Sequence, residues 1–407
     1  MPADHILTYA LAMRGGVEAA LGRMFQGWLD RGRRVTLVLG EESGQFQAGV
    51  PMGVETVTLG HQSYAGLCTT LPAMIGRMRP DIIFCPGNHY TSMAAWSRLR
   101  LAGACPPIVA KMSNAVERGD HHPVLAWGQR QWLARHRLFL DALVAMTPAT
   151  ARAAQDATGL SVAVIPNPPA ALPDLSLDRP RPPGRRILGV GRLEPQKRWD
   201  RLITAMTHLP PDIGLTILGE GSLRPALTAQ IAALGLTGRV TLPGHSADAP
   251  AAMAAAQVVA LASDYEGVPG VLREALAVGT PVVATDSSPA VREIVRDPAL
   301  GTVVAREDLA GLVAALRHWL DPVAPRPDPV PQPGQDSPDR YLALFDSIVT
   351  ARHNRQALAS GNVRFGARAV AVARRLALRR GAVARTWPSR SSGRPAPARG
   401  CRTARSP

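Results

Sequence analysis

One stretch of the chain, residues 262–286, constrains the fold more than any other. Its polar start leads into a Gly-Val-Pro-Gly turn, followed by an apolar segment at 271–278 that predicts a helix. A Gly-Thr-Pro stop and a short apolar run then predict a buried strand. Glu266 and Glu274 lie on either side of the turn. Because backbone N–H groups at a helix start bind anions, the stretch predicts an α/β domain that binds a ligand carrying hydroxyls and phosphates.

The spacing of the two carboxylates resembles the paired-glutamate signature of retaining, family-4 nucleotide-sugar glycosyltransferases, also called glycosyl transferases group 1. Seven residues separate Glu266 from Glu274, and Gly-Thr-Pro-Val-Val follows at 279–283. The resemblance implies the GT-B fold, in which two Rossmann-like domains face a central cleft. It further implies that Glu266 is catalytic, that Glu274 binds the donor ribose, and that Gly270 and Val271 bind the donor diphosphate. A generic loop, helix and strand of an α/β domain is the alternative.

A second segment, Gly-Arg-Leu-Glu-Pro-Gln-Lys at 191–197, follows a predicted strand and supplies two cations, Arg192 and Lys197. Ligands of parallel sheets gather at such strand ends, and paired cations there suit a diphosphate. Only two of the 46 basic residues are lysines, so a lysine at this position indicates a particular requirement. The segment resembles the family's Gly-Arg-Leu-x-x-x-Lys, whose basic residues neutralise the donor phosphates. A solvated basic helix start is the alternative.

Three further strand ends carry polar or glycine residues. The resemblance implies that Gly15 and Gly16, after the first strand, face the donor diphosphate and the acceptor. It also implies that Gly244 and His245 neighbour the nucleotide base. Many members of the family carry a histidine after another strand of the first domain, where Asn114 stands here, so we assign no histidine role at that position.

Hydrophobic patterns and breakers define the predicted elements and domains. We predict strands over 5–13, 33–39, 80–84, 107–111, 186–190, 215–218 and 240–242, and helices over 17–30, 127–143, 197–209, 290–295 and 340–350. Two stretches with seven prolines each, 166–183 and 321–338, are typical of linkers. The predicted parts are an N-terminal Rossmann-like domain (1–165), a linker (166–183), a C-terminal domain (184–320), a second linker (321–338), a terminal helix (339–350) and an Arg-rich tail (351–407). The resemblance implies that the first domain is on the acceptor side, that the second binds the nucleotide-sugar donor and that the terminal helix returns to the first domain.

The tail carries nearly all of the formal net charge of +15. Residues 351–407 contain fourteen arginines and no acid, so the rest of the chain is almost neutral. Apolar residues at helical spacing are compatible with a basic amphipathic helix on an anionic membrane: Phe365, Val372, Leu376 and Val383. Disorder, or a shifted reading of GC-rich DNA with no selected role, are the alternatives. No nucleic-acid partner is expected, because no folded motif accompanies the charge.

The four widely spaced cysteines form no metal or redox pattern, which indicates free thiols in a reducing compartment. No run of about eighteen apolar residues occurs, so we expect a cytoplasmic protein, with peripheral attachment at the inner face of the cell membrane as a further expectation. The sequence contains no Asp-x-Asp motif, so we expect neither a metal nor a cofactor.

Together these features predict transfer of a sugar from a nucleoside-diphosphate sugar to a hydroxyl of a saccharide or lipid-linked acceptor. The resemblance implies retention of anomeric configuration and a role in cell-surface polysaccharide, lipopolysaccharide or glycolipid synthesis. Two rival functions are a nucleotide-sugar epimerase on the same fold and a non-catalytic membrane or polyanion adaptor. The glutamate spacing disfavours the epimerase, and deletion of residues 351–407 would distinguish the adaptor from an enzyme. Donor base, sugar and acceptor are not determined by the sequence.

Overall fold

Two parallel β-sheets with flanking helices organise the chain, as the sequence predicts. The computed structural model describes residues 2–43, 49–60, 63–116, 122–170, 185–246 and 248–359. The chain forms two units, Met1–Arg352 and His353–Pro407, and both sheets belong to the first. Among the described residues, no helix has both the length and the hydrophobicity that crossing a bilayer requires.

The N-terminal sheet has seven parallel strands in the order β3-β2-β1-β4-β5-β6-β7. Its strands are β1 (His5–Ala10), β2 (Arg34–Leu39), β3 (Glu55–Thr58), β4 (Ile82–Cys85), β5 (Ile108–Lys111), β6 (Ala142–Ala145) and β7 (Val162–Val164). Its helices are α1 (Gly16–Leu29), α2 (Tyr64–Met78), α3 (Thr91–Leu101), α4 (Pro123–Ala134) and α5 (Pro148–Thr158). Helices cover both faces of such a sheet, which is why the whole of β1 is buried.

The C-terminal sheet has six parallel strands in the order β10-β9-β8-β11-β12-β13. Its strands are β8 (Arg185–Val190), β9 (Ile213–Leu218), β10 (Val240–Gly244), β11 (Val258–Leu261), β12 (Val282–Thr285) and β13 (Gly301–Val304). The helices that follow are α6 (Trp199–Ala205), α7 (Arg224–Ala233), α8 (Ala249–Ala255), α9 (Gly270–Ala277), α10 (Pro289–Ile294), α11 (Leu309–Trp319) and α12 (Ser337–Ala359). In the first sheet β2 and β4 lie on opposite sides of β1, and in the second sheet β9 and β11 lie on opposite sides of β8. The connections on the two sides of each central strand run in opposite directions, which opens a crevice at the carboxyl ends of the strands.

Helix α12 returns to the N-terminal sheet, as the sequence predicts. Tyr341 and Phe345, one turn apart, are fully buried against Trp28 of α1 and Phe84 of β4. The ring centroids of Trp28 and Phe345 lie 5.7 Å apart, and those of Phe84 and Tyr341 lie 5.2 Å apart. The C-terminal end of the first unit therefore completes the core of the N-terminal domain.

Two predicted helices differ from the structure in their bounds. The predicted helix over 127–143 is correct only up to Ala134, where α4 ends, and the residues at its predicted end belong to the buried strand β6. The predicted terminal helix 339–350 is too short, because α12 runs from Ser337 to Ala359 and includes the first nine residues of the predicted tail. Arg352 contributes to this extension by donating hydrogen bonds to the carbonyls of Cys105 and Gly103. The amphipathic positions proposed for a membrane lie outside the described residues.

The second Pro-rich stretch lies along the C-terminal domain. The Arg326 side chain donates to the carbonyl of Gly279 over 2.9 Å, and the Val330 N–H donates to the carbonyl of Leu276 over 2.9 Å. These bonds fix the course of the chain where the sequence indicated a linker, because prolines supply no N–H of their own and leave the intervening residues to make the contacts.

Candidate active site

Glu266 is held by two donors at the carboxyl end of β11. Its Oε1 accepts hydrogen bonds from Lys197 Nζ over 2.6 Å and from Ser263 Oγ over 2.7 Å. The Glu266 side chain is only 9% exposed and that of Lys197 15% exposed. The structure therefore joins a predicted catalytic carboxylate and a predicted phosphate-binding lysine in one charge-assisted contact.

The loop that carries Glu266 is fixed to the turn after β8. Asp264 accepts hydrogen bonds from Arg198 over 3.1 Å and from Arg201 over 3.0 Å. The Gln196 side chain donates to the carbonyl of Tyr265 over 2.7 Å. Bonds on both sides of Glu266 limit its movement relative to the turn, so the site has a defined geometry before any ligand binds.

Arg192 lines a cavity of about 430 Å³ at the same edge of the sheet. The other lining residues are Glu194, Pro195, Gln196, Arg198, Asp264 and Tyr265. Lys197 and Glu266 do not line it, so the two predicted diphosphate cations face different spaces. Arg192 is exposed; burial raises the pKa of Glu18 and lowers that of His89 in the N-terminal domain, and the charge of Arg192 makes a smaller, lowering contribution to both pKa values. The turn after β8 therefore faces the start of α1.

Glu274 lies in a second cavity of about 40 Å³ between parts of the two domains. Gly270, the first residue of α9, lines the same cavity, and an added Cβ there would lie 3.5 Å from Glu274 Oε1. Val271 is the second residue of α9 and is half-buried. Burial raises the pKa of the Glu274 carboxyl, and the charge of Arg23 opposes that shift. The predicted ribose carboxylate and the predicted anion-binding helix start are thus neighbours.

Close backbone contacts bring the two domains together beside Glu266. A Cβ on Gly267 would lie 2.1 Å from the carbonyl oxygen of Ser113, so only glycine fits at that position. On another side of the interface, the Ala149 N–H donates to Glu293 Oε1 over 2.8 Å. The loop that carries the predicted catalytic residue therefore lies directly against the end of β5 in the N-terminal domain.

Gly15 and Gly16 begin α1, where Gly15 has a φ of 93° that strains other residues. The first turn of that helix carries Glu18, which sequence reasoning missed. It is buried, accepts a hydrogen bond from Tyr90 Oη over 3.2 Å, and has a pKa raised by burial. An acid on the apolar face of the predicted helix, three residues before Leu21, was the available signal.

Lys111, the other lysine of the chain, is a second missed residue. It ends β5, is fully buried, and donates a hydrogen bond to Asn167 Oδ1 over 3.3 Å. Burial lowers its pKa to about 8, against an opposing effect of the nearby Glu18 carboxylate. His89 Nε2 lies 3.9 Å from Glu18 Oε1, its side chain is 49% exposed, and partial desolvation lowers its pKa to about 4. Lys111 and Glu18 are therefore buried on the N-terminal side of the cleft, and His89 lies beside them at the solvent boundary.

Gly244 and His245 lie at the opposite edge of the C-terminal sheet, after β10. Gly244 is buried, and its carbonyl accepts a hydrogen bond from the Gly219 N–H over 2.8 Å, whereas His245 is exposed. One strand lies between β10 and β8, which precedes Lys197, and two strands lie between β10 and β11, which precedes Glu266. The structure therefore does not bring this pair into contact with the glutamate and lysine pair, and a role beside the nucleotide base stays a prediction.

Asn114, the residue that stands where many members of the family have a histidine, belongs to a bonded cluster. Its backbone N–H and the Ser113 hydroxyl both donate to Asn88 Oδ1 over 3.0 Å. This cluster ties the end of β4 to the end of β5, and the Gly267 loop packs against it.

The proteins to which this chain is similar include several glycosyltransferases. Residues 179–324 match the family model for glycosyl transferases group 1. An N-acetylgalactosaminyltransferase of Campylobacter jejuni that acts on a diphospho-undecaprenol-linked sugar is 37% identical over 135 residues, covering 33% of this chain and 37% of that protein. The lipopolysaccharide core glycosyltransferase LpsE of Rhizobium meliloti is 33% identical over 132 residues, covering 32% of this chain and 38% of that protein. The chain thus spans less than two fifths of the length of these relatives.

Longer matches extend over the N-terminal domain. Glycogen synthase of Mycobacterium tuberculosis is 28% identical over 344 residues, covering 78% of this chain and 81% of that enzyme. The crystal structure of Anabaena HepE with UDP and glucose has a TM-score of 0.64 at 21% identity, covering 88% of this chain and all of HepE. Sucrose-phosphate synthase of Thermosynechococcus elongatus has a TM-score of 0.64 at 17% identity, with coverage of 88% and 100%. The chain has the GT-B fold, and its residues 179–324 are similar to the glycosyl transferases group 1.

Proposed function

We propose that this protein is a retaining glycosyltransferase that moves a sugar from a nucleoside-diphosphate sugar to a hydroxyl of a saccharide or lipid-linked acceptor. The observation that carries the proposal is the contact between Lys197 and Glu266, 2.6 Å long and largely buried at the carboxyl end of the C-terminal sheet. A carboxylate and a cation at one point suit a reaction that develops positive charge on a sugar and negative charge on a leaving diphosphate.

In the proposed reaction, the bond between the anomeric carbon and the diphosphate oxygen breaks, and its electron pair stays on the diphosphate. Lys197 has three N–H donors, of which Glu266 accepts one, so it can also donate to the leaving oxygen. Glu266, fixed by Lys197 and Ser263, stabilises the oxocarbenium-like sugar. The acceptor oxygen then bonds to the anomeric carbon on the face that the diphosphate left, and its proton goes to the diphosphate.

Arg192 and the start of α9 are the proposed partners of the remaining diphosphate charge. Arg192 is exposed at the cleft, and Gly270 and Val271 present backbone N–H groups at a helix start. These groups supply positive potential from the chain itself, so we propose that the transfer requires no metal ion. The relative that acts on a diphospho-undecaprenol-linked sugar and the relative in lipopolysaccharide core synthesis support a similar role in cell-surface glycan synthesis here.

A donor panel followed by product analysis tests the proposal. We expect UDP-, GDP-, ADP- or dTDP-sugars to raise the melting temperature, since a ligand that binds only the folded state stabilises it. The stabilising donor is then incubated with saccharide and lipid-linked acceptors, with and without a chelator, and the anomeric configuration is read by NMR. A product of inverted configuration would contradict retention, chelator-sensitive turnover would contradict metal independence, and the absence of stabilisation by every donor would contradict the proposed function.

A further inference from the structure

The small cavity around Glu274 is built from three separate parts of the chain. Arg23 comes from α1, Asn167 and Pro168 come from the segment after β7, and Gln332 and Pro333 come from the Pro-rich segment before α12. Val268 and Arg273 complete the C-terminal wall. The predicted ribose carboxylate is therefore surrounded by residues outside the signature that identified it.

Gln332 has a buried donor with no partner. In the described part of the chain, nine buried side-chain polar atoms lack a hydrogen bond, and Gln332 Nε2 is one of them. Of the nine residues that carry these atoms, Gln332 is the one that lines a cavity described above. A buried donor without a partner destabilises the folded chain, because it has lost its hydrogen bond to water. Such a donor at the wall of a polar cavity is expected where a ligand supplies the missing acceptor.

The backbone holds Gln332 in place from both sides. Val330 is bonded to the carbonyl of Leu276, which is part of α9, the helix that carries Glu274. Gly334 lies so close to the carbonyl of Asn167 that an added Cβ would be 2.3 Å from it. Prolines on both sides of Gln332 restrict its backbone further. Its amide is therefore positioned relative to Glu274 before a ligand arrives.

The charges around Glu274 favour a neutral, hydroxyl-bearing ligand. Arg23 faces the carboxylate, and each group opposes the effect of burial on the pKa of the other. An ionised carboxylate only accepts hydrogen bonds, so ribose hydroxyls that bind it must donate their protons to it. The hydroxyl oxygens then need donors from elsewhere, and an amide N–H₂ is such a donor.

From this geometry we propose that Gln332 is a donor-binding residue, whose Nε2 donates to the oxygen of a ribose hydroxyl held by Glu274. The site thereby selects ribonucleotide donors over deoxyribonucleotide donors. This inference rests on the proposed function, because it assigns a further residue to the same nucleotide site. A cavity of about 40 Å³ has room for only a few water molecules, so the domains separate to admit the ribose. Gln332 stays with Glu274 during that movement because Val330 is bonded to α9.

Calorimetric binding of nucleoside diphosphates to the full chain tests this proposal. The probes are UDP, GDP and ADP, each with its two analogues that lack one ribose hydroxyl. For the diphosphate that binds most tightly, we expect the affinity to be about tenfold or more above that of one of its two deoxy analogues. The reason is that Gln332 Nε2 stays unpaired when the analogue lacks the hydroxyl that would accept its hydrogen bond. Gln332→Met keeps the length and removes the donor, and it should reduce this ratio at least about fivefold. Gln332→Glu, which places an acceptor beside Glu274, should weaken binding of the ribonucleotide further.

The controls distinguish failure of the role assigned to Gln332 from failure of the proposed function. Gln155→Met, on the exposed face of α5, should leave all affinities unchanged. Circular dichroism checks that each variant folds. If Glu274→Gln weakens binding while Gln332→Met leaves the ratio unchanged, the role of Gln332 is overturned and the proposed function stands. If the unmodified chain binds none of the diphosphates, the proposed function and this inference both fail.

Discussion

The chain's two lysines lie in different domains and in opposite electrostatic surroundings. Lys197 follows β8 and contacts the Glu266 carboxylate at 2.6 Å. Lys111 ends β5, is fully buried, and has the neutral side chain of Asn167 as its hydrogen-bond acceptor at 3.3 Å. The Glu18 carboxylate acts on Lys111 through its charge, but desolvation outweighs it and lowers the pKa to about 8.

The charge of Lys197 is neutralised by a carboxylate in direct contact, whereas among the described residues no carboxylate is in contact with Lys111. Around Lys197 the cation and the carboxylate compensate each other, so their attraction offsets part of the desolvation that burial imposes on both. Around Lys111 the charge is buried with weak compensation, which costs folding free energy at neutral pH. Perturbed titratable groups beside a cleft are candidates for function, and Lys111 with Glu18 and His89 meets that description in the N-terminal domain.

The largest expected effect lies within the C-terminal site and separates its two glutamates. Glu266→Gln keeps the shape and the hydrogen-bonding oxygen but removes the charge, so we expect kcat to fall about a hundredfold or more. Glu274→Gln should mainly raise KM for the donor, by about tenfold, because a ribose contact is equally strong in the ground and transition states. Steady-state kinetics at saturating acceptor measure both. If both variants change KM alone, Glu266 has no part in the chemical step.

Much of the C-terminal site could be predicted because its residues are local in sequence. Glu266 and Glu274 are separated by one turn and part of one helix, and Lys197 follows a strand with a characteristic glycine turn. Apolar runs likewise predicted the buried strands of both sheets. In these cases the position along the chain determines the position at the sheet edge, so spacing carries the information.

Tertiary contacts determine the parts that the sequence did not predict. Gln332 lies in a segment that its prolines marked as a linker, and only the fold places it beside Glu274. Strand β3 is a short, partly exposed edge strand, and α2 contains Pro72, so neither has the pattern of a buried element. The helix predicted over 127–143 merged two elements, because a continuous apolar composition does not reveal where the chain reverses.

Replacing each lysine by methionine should change local stability in opposite directions. Lys197→Met leaves the Glu266 carboxylate buried and uncompensated, so we expect a loss of about 3 kcal/mol in the C-terminal domain. Lys111→Met removes a desolvated charge, so we expect a gain of about 2 kcal/mol in the N-terminal domain at pH 7. Hydrogen exchange of peptides from β5 and β8, read by mass spectrometry, reports the two domains separately.

The pH dependence provides the control for Lys111. Its folded pKa of about 8 lies below the ordinary value of 10.5, so the folded state releases the proton first as pH rises. The unmodified chain should therefore gain stability between these two values, by up to roughly 3 kcal/mol, while Lys111→Met should not. Below about pH 8 the full cost of the buried charge is present in the unmodified chain. An equal pH dependence in both proteins would show that the ammonium is compensated after all.

The smallest expected effect concerns exposed Arg192, and it compares a surface cation with the buried Lys197. Arg192→Ala should weaken binding of the nucleoside diphosphate about five- to tenfold at low salt, and the difference from the unmodified chain should shrink as salt is added, because salt screens exposed charges. Lys197→Ala should cost more, and its effect should depend little on salt, since its side chain is 15% exposed. Arg77→Ala, an exposed arginine on α2, is the matched control and should have no effect. Calorimetry over a salt series measures all three variants. An equal salt dependence for Arg192→Ala and Lys197→Ala would show that both cations contact the phosphates at solvent-exposed positions.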